Sequence, residues 1–569
     1  MPNDIPLDAI RCILTFLPVR SIIRLERVKQ SIVYSAVKLI ELCCCQTSKV
    51  FHELLQERSI WADVYRGSDL PLPPGPYDWQ TTAILRSALV CSAKLDAKWP
   101  PRQIPESNPD YDLTLGRYTK IGPAPVATCT VNCPDAHSVN ILGGRWVVTA
   151  KDYHVSCWDL DSDSSRTSLG WHPTEYTIFR AQEDYPGLEI RGVICTDTTG
   201  PDGRLLAFVV IAIGELTSLR GKLLIFKAAQ TSTADSLRLN LVRSIPVARL
   251  MEAIVGPRVL VIHIMSFEGE GPVPAVNIVK DRVLAMDTET YELYTLALEE
   301  RDDAPLTEGG NVAFALALSS THCFVGRSLI HTNFHSNTQL QYTNLEAFEI
   351  PFPRSDSYPT RPIPNLTDAT PEKSLLPSHR GICSATIHVS DAIWEWEHPH
   401  SHEFHLALRS VREIAMTGQM VAYCITHVVL SHTLLHEDLS APSSLTCHVS
   451  EVFPRGMSLG ETAHFYPCPG PLFMTDTRQN GRGVLCWDVD DPTLEKTVVN
   501  AFAFTLTLSR ESTESGSNSP DEVYLQGAIG TRRLNIPMNN LDIVKHFDGT
   551  TGRLCVGTRD LGVAVFDFA

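Results

Sequence analysis

Several things this 569-residue chain lacks narrow its function before any motif is read. There is no run of five or more Lys/Arg, and the formal net charge is -17. Such a field repels nucleic acid and acidic membrane surfaces, so neither is expected as a partner. The 16 cysteines include no CxxC pair, the closest outside Cys43-Cys44-Cys45 being Cys129 and Cys133. No apolar run reaches the ~18 residues of a membrane span. The start Met1-Pro2-Asn3-Asp4 lacks the basic end and apolar core of a secretory leader. A reducing compartment, cytoplasmic and/or nuclear, is therefore expected, with cysteines acting as small buried hydrophobes.

Chemistry-bearing motifs are also scarce. Neither a phosphate-cradling P-loop nor a His-Glu-x-x-His zinc motif is present. The best metal candidate is Trp394–His405, where His400 and His402 alternate and would share a strand face. Zinc needs three or four convergent ligands, so solvated histidines on a loop or strand edge are the expectation there. No catalytic residue, cofactor or metal is assigned.

Hydrophobic content is 43% and charged content 20%, a globular composition. The length exceeds one ordinary core and implies a multi-domain chain. Residues 5–100 read as helical. Ile10, Ile13, Leu14 and Leu17 recur on one helical face, and Pro18 ends that helix. A short helix carries Ile22, Ile23 and Leu25. A third runs from Ser48 through Phe51, Leu54 and Leu55 towards Ile60 and Trp61. Residues 67–125 form a linker with Leu72-Pro73-Pro74-Gly75-Pro76 and one amphipathic helix, about Trp79–Leu95.

From residue 126 the pattern turns to β-branched runs divided by turn signals. They include 146–148, 206–213, 223–226, 259–264, 283–286, 421–429 and 563–568. Cys157-Trp158-Asp159-Leu160, Cys486-Trp487-Asp488-Val489 and Val565-Phe566-Asp567-Phe568 repeat an apolar–aromatic–Asp–apolar pattern. The stretches leading into the first and last look like inner strands of a WD-repeat blade. At ~40–45 residues per blade, residues 126–569 accommodate a β-propeller of about seven or eight blades. Another all-β arrangement is the alternative. Polar or Pro-rich stretches near 351–377 and 509–522 are expected to be disordered loops.

The N-terminus resembles the F-box family. The residues that carry the likeness are Ile5-Pro6-Leu7-Asp8, Ile10, Ile13, Leu14, Phe16-Leu17-Pro18 and Ile22-Ile23-Arg24-Leu25. After an interval come Ser48-Lys49, Phe51, Leu54-Leu55 and Ile60-Trp61. The resemblance covers residues 1–66 and implies a small all-α module that docks a Skp-family adaptor and, through it, a cullin scaffold. Ile5, Pro6, Ile10, Ile13, Leu17, Pro18 and Ile23 would form the apolar docking surface, and Trp61 would close the module. The β domain would then hold an unknown protein target as the recognition half of an SCF-type ubiquitin ligase. A scaffold that assembles a complex without ubiquitin transfer is the alternative.

Val28–Gln46 interrupts the family pattern, and joining Arg27 to Thr47 restores it. Any Val codon begins with GT, a Gln codon can end in AG, and Leu39-Ile40 can encode a CTAAT branch sequence. These 19 residues have the form of a translated, unspliced intron. A genuine inserted helix, with Ile32, Val33, Ala36, Val37, Leu39, Ile40 and Cys43 on one face, is the other reading. Sequencing of the spliced message distinguishes them: the dominant transcript is expected to lack this stretch, and a dominant message retaining it overturns the intron reading.

Overall fold

The computed structural model describes most of residues 53–68, 80–98, 124–161, 170–199 and 205–298, together with the strands from Ala313 to Asp567 and short pieces elsewhere. Side chains are described through most of the helices, the first three large sheets, part of the fourth and most of the seventh. Ile5, Pro6, Ile10, Pro18, Ile23 and the whole of 28–46 lie outside the described residues.

The described part is mostly β. Two helices whose bounds are described precede the sheets, α1 (Arg58–Gly67) and α2 (Thr82–Lys98), with helical residues also at 13–14, 19, 21–22 and 53–54. The single helix expected from Ser48 to Trp61 is broken. Residues 53–54 are helical, the amides of Gln56 and Glu57 close tight turns onto Glu53 and Leu54, and the chain restarts as α1. That break frees the Leu55 carbonyl, which accepts the buried Trp61 Nε1–H at 2.7 Å. An indole N–H removed from water needs such a partner, and a straight helix would have left that carbonyl engaged.

The β region consists, among the described residues, of seven larger sheets and two two-stranded ribbons. The first sheet is Ser138–Leu142, Trp146–Lys151, His154–Asp159 and Thr174–Arg180, in simple antiparallel order. The second is Glu189–Thr199, Leu205–Gly214, Gly221–Gln230 and Leu237–Val247. The third, fourth and fifth begin at Arg249–Val255, Ala313–Leu318 and Ser390–His398. The sixth has a split first strand, Ala463–Phe465 and Phe473–Met474 both pairing with Asn480–Asp491. The seventh runs Leu541–Asp548, Arg553–Thr558 and Gly562–Asp567, and its fourth strand is Ala127–Val131 from the start of the β region.

First strands of successive sheets touch in turn. The Phe473–Met474 strand receives the fifth sheet, Asn480–Asp491 meets Leu541–Asp548, and Leu541–Asp548 meets Ser138–Leu142 again. The result is a propeller-like ring of sheets stacked face to face.

Two-sided stacking explains the apolar runs. In Leu205–Gly214, Ala207, Val209, Ile211 and Ile213 pack against the first sheet. Their alternates Leu206, Phe208, Val210 and Ala212 pack against the third. A strand buried on both faces loses the usual alternation and reads as unbroken Val/Ile/Leu/Phe. The strands expected at 146–148, 206–213, 223–226, 259–264, 283–286 and 421–429 fall within observed ones, and that at 563–568 overruns its strand, Gly562–Asp567, by one residue.

Side chains also bridge the inner strands. Asn140 Nδ2 donates to Val193 O at 3.0 Å, and the Val255 amide donates to Thr196 Oγ1 at 3.0 Å.

Two expectations are corrected here. The Pro-rich stretch 351–377 contains a strand, Lys373–Leu375, which pairs in parallel with Tyr294–Leu296; a parallel partner from a distant loop leaves no local sequence signal. The Cys486-Trp487-Asp488 match does not share the position of the other two repeats. Trp158-Asp159 and Phe566-Asp567 end third strands, whereas Trp487-Asp488 lies in a strand second from the inside. The stretch 509–522 lies outside the described residues.

Candidate docking module and its seat on the ring

The N-terminal helices form one small core. Leu14, Val19 and Ile22 pack with Leu54, Leu55, Ile60, Trp61 and Val64, and with Leu85, Leu89 and Ala93 of α2. Trp61 is wholly buried at its centre. Polar bonds close the margin: Arg58 Nε donates to Gln80 O at 2.8 Å, and Thr82 Oγ1 to Gln56 O at 3.2 Å. Of the residues expected to dock a partner, Leu17 is half-buried against this core and Ile13 is 51% exposed. Ile13 sits one residue from the fully buried Leu14, so the same turn of helix presents one apolar side chain inward and one to solvent.

The linker helix α2 belongs to both parts of the chain. Its Leu85, Leu89 and Ala93 complete the helical core. Two residues further on, Leu95 is fully buried against Gly552, in the turn that opens the second strand of the seventh sheet. A Cβ on Gly552 would stand 2.5 Å from Leu95 Cδ2, and Gly552 has φ +72°, a left-handed conformation that side chains resist. The α2 end also reaches the ring through Lys98 Nζ, 3.5 Å from Phe568 O.

Beside this seat, the seam between the seventh and first sheets is charged. Arg553 donates to both carboxylate oxygens of Asp161, at 3.0 and 2.5 Å, and to the Gly144 carbonyl. Its Nε stands 3.6 Å from Asp567 Oδ2, and its guanidinium lies over the Trp171 ring. Arg145 makes the corresponding fork with Asp159 at 2.8 and 2.6 Å. A Gly-Arg pair therefore precedes the terminal aspartate by the same interval in both sheets. The repeated spacing Gly144-Arg145 to Asp159 and Gly552-Arg553 to Asp567 was readable, although the arginines' partners were not. Asp287 ends the third strand of the third sheet in the same way, accepting from Glu289 N and Thr290 N at 2.7 Å. Its neighbour is Met286 and not an aromatic, which hides it from the aromatic–Asp pattern.

Asp197 faces the same rim from the second sheet. Its Oδ2 accepts the Gly143 amide at 2.7 Å. Desolvation pushes its pKa up to about 7; the Gly143 amide works against this and the charge of Asp548 adds to it.

Among the described residues, no group of three His, Cys, Asp or Glu side chains converges as a metal site. No described helix is long and apolar enough to cross a membrane. One motif escaped the reading of the sequence: Gly456-Met457-Ser458-Leu459-Gly460 has the spacing of a hydrolase nucleophile elbow. The pentapeptide lies outside the described residues, and its flanking strands Leu445–Val452 and Ala463–Phe465 both belong to antiparallel sheets. An elbow needs a strand leading into a helix, and no described helix follows.

Module and ring together define a mostly β chain, propeller-like in its pairing, with a small helical core seated on its closing sheet. No family model and no curated protein matches it. Solved structures with some likeness include Drosophila Plexin A in complex with Semaphorin 1b, at 10% identity, 79% of this chain, 88% of that chain and TM-score 0.33. Drosophila Semaphorin 1a, extracellular domains 1–2, matches at 10% identity over 79% and 89%, with TM-score 0.31. A mutant Synechocystis apocarotenoid oxygenase matches at 9% identity over 70% and 71%, with TM-score 0.29. Likenesses at this level carry no argument about function, and the ring is read from its own strand pairing.

Two glycines test the seat. Gly552 and Gly187 both have left-handed φ, but a Cβ at Gly187 meets nothing within 4 Å. Gly552→Ala is expected to cost about 1–3 kcal/mol more than Gly187→Ala in denaturant unfolding, since only the former also displaces Leu95; equal costs would show that α2 does not press there.

Asp197 predicts a pH effect. Its folded pKa is raised, so its contribution to stability is full below its unfolded value of about 3.9 and is lost as pH rises towards about 7. Asp197→Asn keeps an acceptor for Gly143 and removes the titration. Its melting temperature relative to the parent should therefore be higher at pH 8 than at pH 4. A difference that is flat or reversed in sign between those values contradicts this.

Proposed function

We propose that this protein is the substrate-recognition subunit of an SCF-type ubiquitin ligase. Residues 1–66 dock a Skp-family adaptor, and through it a cullin scaffold. The β region, a propeller of seven blades, holds a protein target. The observation that carries the reading is the ordered Pro/Asp/Leu-Pro/Leu/Trp pattern of residues 5–61. The core around Trp61 supports it, because Leu14, Ile22, Leu54 and Ile60 of that pattern pack together while Ile13 is left in solvent. So small a helical unit cannot cover all its apolar surface, and a partner that covers it gains ~25 cal/mol per Å² before association costs.

The chain contributes proximity and no catalytic residue. One end would hold the adaptor and the other the target, raising the target's effective concentration near the ubiquitin carrier. Because α2 is shared by the helical core and the seventh sheet, the two ends would keep a fixed relative orientation. The seven-blade count rests on the seven sheets and on Ala127–Val131 completing the last of them. The expected setting is cytoplasmic and/or nuclear.

Affinity capture of the full chain tests the reading. Adaptor and cullin should be recovered together, and Ile13→Glu should reduce both at least about tenfold, because a carboxylate would have to be buried at the interface. Recovery of adaptor without cullin favours the alternative of a scaffold that does not transfer ubiquitin. Failure to bind any Skp-family subunit, with or without residues 28–46, removes the adaptor function.

A further inference from the structure

The fifth sheet sets three residues of metal-ligating type in one row. Its strands are Ser390–His398, Ser401–Ile414, Met420–Thr433 and Leu445–Val452, in that order. The first two form a tight hairpin whose end pair is His398 opposite Ser401. One step inward, Glu397 stands opposite His402. On the next strand, His432 stands opposite His402.

Directly opposed residues of an antiparallel ladder share a face, and neighbouring strands lie about 4.8 Å apart. Glu397, His402 and His432 therefore occupy adjacent positions of one row on one face, spanning about 10 Å. Two residues deeper on that face, Glu395 stands opposite Phe404 and Leu430 opposite Cys447. Of the two neighbouring rows on the other face, Trp396–Glu403–Ser431 contains no imidazole and His398–Ser401–Thr433 contains one. From this juxtaposition we infer that Glu397, His402 and His432 form a site for a divalent transition metal. Zinc is the ion that two imidazoles and one carboxylate suit best, with water completing four-coordination. The sequence alone offered His400 and His402 on one strand face; His400 lies outside the described residues, and the register sets partners from both neighbouring strands beside His402. The position at the hairpin end sets the row at the margin of the sheet.

The test uses the full chain, stripped with chelator and titrated with zinc against a chromophoric competitor. One zinc per chain should bind, with affinity falling as pH drops below about 6.5, where imidazoles take up protons. His402→Ala and His432→Ala should each weaken binding at least about tenfold, while His405→Ala, on the other face, should leave it unchanged. Glu397→Gln and His432→Gln, close in volume to the parent residues, keep the test decidable if an alanine variant does not fold. No zinc uptake by the parent chain overturns the site, as does parent-like binding by the His402 and His432 variants or by the two glutamine variants.

Discussion

The strand Ala127–Val131, at the start of the β region, completes the sheet made by the chain's last three strands, with Ala127 opposite Asp567 and Val131 opposite Val563. That pairing joins the two ends of the ring. The first three sheets are apolar on both faces, and the seventh buries one face against the first, so an open ring would expose the faces that meet there. Cys129, Val131, Ile141, Val147, Trp158, Val563 and Val565 meet in that seam and are all buried. Loop-closure entropy rises only with the logarithm of length, by about 0.6 kcal/mol per doubling. A ladder of five residue pairs and a buried seam can therefore offset the cost of joining ends this far apart.

The closure also explains where charge is spent. Arg553 stands inside the seam with Asp161, Asp567 and the Gly144 carbonyl around it. Buried ion pairs add little net stability but are costly to break, so a wrongly registered closing strand would strand the arginine. The helical core uses the same place: α2 presses Leu95 into the glycine turn beside Arg553. A module seated on the closing sheet is coupled to the joint where the two ends of the β region meet.

Legibility in the sequence followed how local the cause was. Continuous apolar runs such as 206–213 announced strands because the signal lies within ten residues, and that one is observed as Leu205–Gly214. The α2 helix was expected at about Trp79–Leu95 and is observed at Thr82–Lys98. The break after Leu54 was not legible, because its reason is a hydrogen bond from Trp61. Lys373–Leu375 was hidden in a Pro-rich stretch, because its partner lies some eighty residues earlier. The aromatic–Asp repeat was sound for Asp159 and Asp567, missed Asp287 and misplaced Asp488, since the motif records strand ends only where an aromatic happens to precede the acid.

By itself the sequence determined the helix now seen at Thr82–Lys98, the apolar runs that lie in strands, and which N-terminal residues have the pattern of a docking module. Periodicity and apolar content are properties of neighbours along the chain. Tertiary structure alone decided that Ala127–Val131 closes the last sheet, that Arg553 bridges distant parts of the chain, and that Glu397, His402 and His432 share a row. Those facts are set by register between distant segments, and register is chosen by the burial of whole faces, which no single segment encodes.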